Sequence, residues 1–205
     1  MDGRRLLLGD WGRWIRDPID VLRICFIAGA AVYLALGRST AIELAAASIV
    51  LVIARFVNLP RPYDLALLLA MVLIGFGTAL NLYERITYYD KLVHGLSPLL
   101  WAPVLYIVCV RLEVLPDLGR SRAAHHFVGI FLVTLALGAA VGAAYEVCEW
   151  TLDGFFPHWH LVMTERDTAT DLMADFVGAT LGGLSLVAWN LWGAGTVRRV
   201  PGPRA

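Results

Sequence analysis

Three short polar stretches break long apolar runs, and their residue types could do chemistry together. "TYYDKLVHGLSP" carries Asp90 and His94, "YEVCEW" carries Glu146 and Glu149, and "RDTATDLMADFVGATLGG" carries Asp167, Asp171 and Asp175. On a helix, Asp90 and His94 share a face at i,i+4, as do Asp171 and Asp175, and Glu146 and Glu149 do so at i,i+3. Each pair presents two polar groups about one turn apart, at two depths. Carboxylate oxygens suit hard cations such as Mg, Mn or Ca, and an imidazole among them admits Zn or Fe. Six carboxylates and one imidazole in a small volume cannot all be charged without a bound cation or shared protons to balance them. Nearby in sequence only Lys91, Arg166 and Arg85 are basic. The candidate metal ligands are therefore His94, Glu146, Glu149, Asp171 and Asp175. Asp90 completes the candidate catalytic set, as a partner that orients His94.

The elements that must position these residues are membrane helices. The chain has 205 residues, 59% hydrophobic and 17% charged, where a soluble domain has roughly 45–50% and about 25%. The excess falls in blocks long enough to cross a bilayer as helices, at 19–36, 41–58, 63–83, 92–110, 125–150 and 171–192. Arg23, Glu43 and Arg55 interrupt the first two. The expected fold is all-α, a polytopic bundle of about six transmembrane helices forming one integral membrane domain over 1–205. Most of the 17 Lys and Arg residues lie on one side if both termini are cytoplasmic, as the positive-inside rule requires. Under that topology all three polar stretches meet the extracytoplasmic boundary, where acids outnumber bases.

Other features have plainer readings. Thr87-x-x-Asp90 and Thr168-x-x-Asp171 fit a helix-capping pattern, and Asp167 suits a loop or cap. Capping does not account for His94 or Asp175, one turn deeper, nor for Glu146 and Glu149 near a helix C-terminus, where negative charge is disfavoured. Gly138-x-x-x-Gly142 and Gly178-x-x-x-Gly182 let helix backbones approach in lipid, so the fifth helix is expected against the sixth. The N-terminal segment reads as an uncleaved lead into the first helix, with Trp11 and Trp14 at the interface. Cys25, Cys109 and Cys148 have no spacing for a disulfide framework or a thiolate site. His125 and His126 read as a basic patch, His158 and His160 as loop surface, and Trp101, Trp189 and Trp192 as interface anchors or packing. No motif points to nucleic acid.

At these three stretches the sequence resembles the YjdF-type family of bacterial inner-membrane proteins, whose function is uncharacterised. The matching residues are Asp90, Lys91 and His94, then Tyr145, Glu146, Glu149 and Trp150, then Asp167, Thr168, Asp171, Asp175, Gly178 and Ala179. The likeness runs from Tyr88 to Leu184 with the same helix order. It is more distantly similar to the VanZ-type family, linked to glycopeptide resistance at the cell envelope. The resemblance implies a multi-pass protein of the bacterial cytoplasmic membrane and a residue set, without a reaction.

Three functions fit these residues. A divalent metal at the outer boundary could activate water against a lipid-linked or envelope ester or phosphate. The acids could instead relay cations or protons through a small transporter. A non-catalytic module could bind a lipid headgroup or a partner protein. Membrane lipids are the expected surroundings in each case.

Overall fold

The computed structural model describes residues 15, 18–38, 40–57, 59–155 and 164–192. The N-terminal segment with Trp11 and Trp14, and the stretch with His158 and His160, lie outside the described residues. Seven α-helices and no strand occur among the described residues: α1 (Pro18–Ala35), α2 (Ala41–Val57), α3 (Arg61–Ala79), the short α4 (Leu82–Arg85), α5 (Tyr89–Arg111), α6 (Ala124–Phe155) and α7 (Glu165–Leu191). A 3-10 turn, Leu118–Arg120, joins α5 to α6.

Six long helices thus stand where six apolar blocks are expected. Five are long and apolar enough to cross a membrane. The other, α2, has 17 residues and carries Glu43 and Arg55; at about 25 Å it is short of the roughly 30 Å hydrocarbon core. By contrast, the 32 residues of α6 extend about 48 Å, well past that thickness.

Two boundaries differ from the sequence expectation, and both matter for the site. Helix α7 opens at Glu165, not 171, because the Thr164 side chain caps it by accepting a hydrogen bond from the Asp167 N–H, 3.1 Å away. Thr164-x-x-Asp167 is the capping unit, and the identical spacing at Thr168 and Asp171 falls inside the helix. Helix α6 runs on to Phe155, so Glu146 and Glu149 are interior helix positions.

The helices form two groups. Helices α1, α2 and α3 pack around Phe26, Leu44, Leu51 and Leu68, while α3, α5, α6 and α7 surround Tyr106, Ile107, Ile130 and Leu186. The closest packing is α7 against α5, and glycines explain it. A Cβ at Gly178 would strike the Gly95 carbonyl, and one at Gly182 would meet the Leu99 and Pro98 carbonyls at 3.1 Å. Gly178 and Gly182 therefore serve the α5 interface, whereas the stripe on α6 does face α7: a Cβ at Gly138 would lie 2.6 Å from the Ala179 Cβ. Pro98 and Pro103 lie within α5; neighbouring helices make such breaks tolerable in a membrane.

Trp101 and Trp189 pack against the second core and Tyr63 stacks edge-on to Trp189, while Trp192 is exposed. His126 turns back to the protein, with Nε2 2.9 Å from the Leu118 carbonyl oxygen, and His125 is exposed.

Candidate functional site

The start of α5, the last third of α6 and the start of α7 meet at one end of the bundle. There the structure brings together Asp90, His94, Glu146, Glu149, Asp171 and Asp175. The antiparallel order of the three helices places them at one level, and Gly142 supplies the room: a Cβ there would overlap the Asp175 carboxylate. His94, Glu146, Asp171 and Asp175 are all buried, while Asp90 and Glu149 are half-buried.

His94 is the centre. Its Nδ1 lies 3.2 Å from Asp175 Oδ1, so a proton on Nδ1 is donated to that carboxylate and Nε2 faces the other acids. Around Nε2 stand Asp90 Oδ1 and Glu146 Oε1, each at 3.8 Å, and Asp171 Oδ1 at 3.9 Å. These separations are too long for hydrogen bonds. They match the spacing of atoms that share a cation, since metal–ligand bonds of about 2.0–2.6 Å set ligand atoms roughly 3–4 Å apart. Two ligand sets converge within 4.8 Å, Asp90–His94–Asp171 and His94–Glu146–Glu149.

Lys91 enters the cluster from the first of these sets. Its Nζ donates to Asp171 at 2.6 Å, Asp167 at 2.7 Å and Asp90 at 3.2 Å. That bridging was not deduced from sequence, although Lys91 adjoins Asp90 and the i,i+4 pair Asp167–Asp171 faces it from α7. Arg85 and Arg166 are exposed. No lysine or arginine reaches the second set among the described residues: Glu146 faces His94 Nε2 at 3.8 Å and the Thr168 hydroxyl, and Asp175 Oδ2 has no hydrogen-bond partner.

Aromatic groups close the sides. The Tyr145 ring meets His94 edge-on with centroids 5.7 Å apart, and Trp150 Nε1 donates to the Thr168 hydroxyl at 2.8 Å, tying α6 to α7. The Tyr89 hydroxyl donates to the Leu73 carbonyl at 2.7 Å, and its ring packs on Tyr83. Burial pushes the phenol of Tyr83, in α4, well above its ordinary pKa, and the charges of Tyr89, Asp90, Glu149 and Glu43 act in the same direction. It therefore stays neutral beside the acids.

A second charged group, not deduced from sequence, occupies the opposite end. Arg23 donates to both Asp20 and Asp64, and Arg61 to Asp64. Arg55 Nε lies 3.7 Å from Asp20, and Arg111 donates to the Val57 carbonyl. The available signal was the burial implied by Arg23 and Arg55 within apolar blocks.

Together, an all-helical bundle with several membrane-crossing helices and an acidic–histidine cluster at one end define a polytopic membrane protein. Residues 21–191 match the family described as "Predicted membrane protein (DUF2238)", and the chain belongs to that family. It is also 28% identical over 102 residues to an uncharacterized protein of Thermotoga maritima. That match covers 50% of this chain and 49% of the relative, so about half of each. No solved structure matches the chain.

Proposed function

We propose that this is a multi-pass protein of the bacterial cytoplasmic membrane that binds a divalent metal at the extracytoplasmic boundary and uses it to hydrolyse a lipid-linked or envelope ester or phosphate. The observation that carries the reading is Glu146: a buried carboxylate 3.8 Å from a histidine nitrogen that other acids also face, with no lysine or arginine against it among the described residues. Burying several carboxylates around one imidazole is costly, and a cation shared with His94 Nε2 and Glu149 removes that cost. Asp171 and Asp90 reach the same nitrogen, and Lys91 balances their side of the cluster.

In this arrangement Asp175 orients the imidazole through Nδ1, the role first given to Asp90, while Asp90 faces Nε2. Such partners fix the tautomer and raise ligand basicity. A metal bound here would supply Lewis acidity and an activated water. The positive-inside pattern supports cytoplasmic termini and so an outward-facing site, and the YjdF-type likeness supports the cytoplasmic membrane.

Metal that binds only the folded protein stabilises it, by about 2.7 kcal/mol at a hundredfold excess over Kd. Purified protein in detergent should show a raised thermal midpoint with Mn, Zn, Mg or Ca, reversed by chelator and absent in Glu149→Gln. Indifference of the wild-type midpoint to all four metals and to chelator would sink the reading.

A further inference from the structure

Below the cluster lies a cavity of about 590 Å³ that the catalytic reading leaves unused, within the size range of small-molecule sites. One wall is a stripe on α5, Val93, Ser97, Trp101, Leu105 and Val108. Facing it are Ile53 and Val57 of α2, Met71 of α3 and Val141 of α6. Its upper end is polar, formed by His94, Tyr145 and Asp175. From His94 to Val108 is fourteen helical residues, or roughly 21 Å. The lower end stops at Val57 and Leu59, beside Arg111, which donates to the Val57 carbonyl.

Three observations say what such a space holds. First, it is apolar along its length and joins the acidic cluster directly. Second, it lies between helices whose main contacts are elsewhere: α2 packs on α1 and α3, and α6 on α5 and α7. Ile53 on one flank and Tyr145 on the other are exposed. Third, two buried polar atoms on its wall, Ser97 Oγ and Asp175 Oδ2, have no hydrogen-bond partner. Ser97 sits about one turn below His94, where a chain entering from the cluster first passes.

We propose that this cavity holds one fatty-acyl chain of a membrane glycerolipid, with its ester carbonyl accepting a hydrogen bond from the Ser97 hydroxyl and its headgroup at the His94 cluster. The length decides the chain type. With the ester at Ser97, the eleven residues down to Val108 leave roughly 16 Å for the tail, which matches one leaflet, about 15 Å, and falls well short of the roughly 30 Å hydrocarbon thickness that a bilayer-spanning polyprenyl tail would need. The inference rests on the proposed function for its reacting end and names the substrate class as a glycerolipid. The acyl site itself stands on the cavity.

The test uses the full chain in phosphatidylglycerol vesicles whose acyl chain carries a mid-chain diazirine. Photolysis should label α5 peptides around Trp101 and Leu105. Filling the cavity with Leu105→Trp, or Met71→Trp should the first fail to fold, should cut that labelling about tenfold, the loss of roughly two buried methylenes. Ser97→Ala should lower it less. Labelling confined to outward faces such as Leu132, labelling unchanged in both filled variants, or competition by polyprenyl phosphate but not by unlabelled phosphatidylglycerol would each overturn the proposal. Metal content separates the two readings: cavity labelling in protein that binds no metal supports the acyl site while removing the metal one.

Discussion

At one end of α5, Arg111 donates to the Val57 carbonyl, and at that end of the bundle Arg23, Arg55 and Arg61 surround Asp20 and Asp64. About 26 Å back along α5 from Arg111, at the level of His94, Asp90, Glu146, Glu149, Asp167, Asp171 and Asp175 gather around one lysine and one histidine. Among the described residues, guanidinium groups outnumber carboxylates in the first cluster, and both buried aspartates are closely paired with arginine. In the second, carboxylates outnumber cations among the described residues, and no lysine or arginine reaches Glu146 there. The arginine end is a finished structural joint between α1, α2 and α3. The acidic end is mixed, with His94, Glu146, Asp171 and Asp175 buried and Asp90, Asp167 and Glu149 half-buried, and it is short of positive charge among the described residues, which suits the proposed cation.

The comparison can be broken by substitution. The largest effect should come at the arginine end. Asp64→Asn removes the carboxylate that Arg23 and Arg61 share, and breaking a buried pair costs about 3–5 kcal/mol. Thermal unfolding in detergent should show a large drop in midpoint that no divalent metal restores; a midpoint near wild type would mean that the network is not what holds these helices. Lys91→Met should cost less, about 1–3 kcal/mol, for acceptors left unpaired at Asp90, Asp167 and Asp171. There added divalent metal should recover part of the loss, and equal insensitivity of both variants to metal would erase the distinction between the two ends. Smallest is Trp150→Phe, which removes one hydrogen bond to Thr168 and should cost about 1 kcal/mol, read as a midpoint shift with no change in metal response.

Much of this was legible before the fold. Apolar block lengths located the helices, and i,i+3 and i,i+4 spacing put each acidic or histidine pair on one helix face. The start of α7 was misread because Thr164 and Thr168 each precede an aspartate by three residues, and local sequence gives no way to rank two equal caps. Gly178 and Gly182 meet α5 instead of the expected α6, because a small-residue stripe states that a helix approaches closely and not which one. Asp20 and Asp64 are 44 positions apart in sequence, and the choice of Arg23 between them depends on how α1 meets α3. The cavity was invisible for a related reason: it is a mismatch between faces of four helices, and no single stretch of sequence encodes it.

The proposed divalent metal at the acidic end would be held by His94, Glu146 and Glu149. Elemental analysis of purified, monodisperse protein tests it directly, with Glu146→Gln as the control because it keeps the side-chain volume and removes the charge. The account predicts close to one metal ion per chain in the wild type and a large loss in Glu146→Gln at unchanged folding. Folded wild-type protein without metal after incubation with Mg, Mn, Ca and Zn, or full metal content in Glu146→Gln, would contradict it.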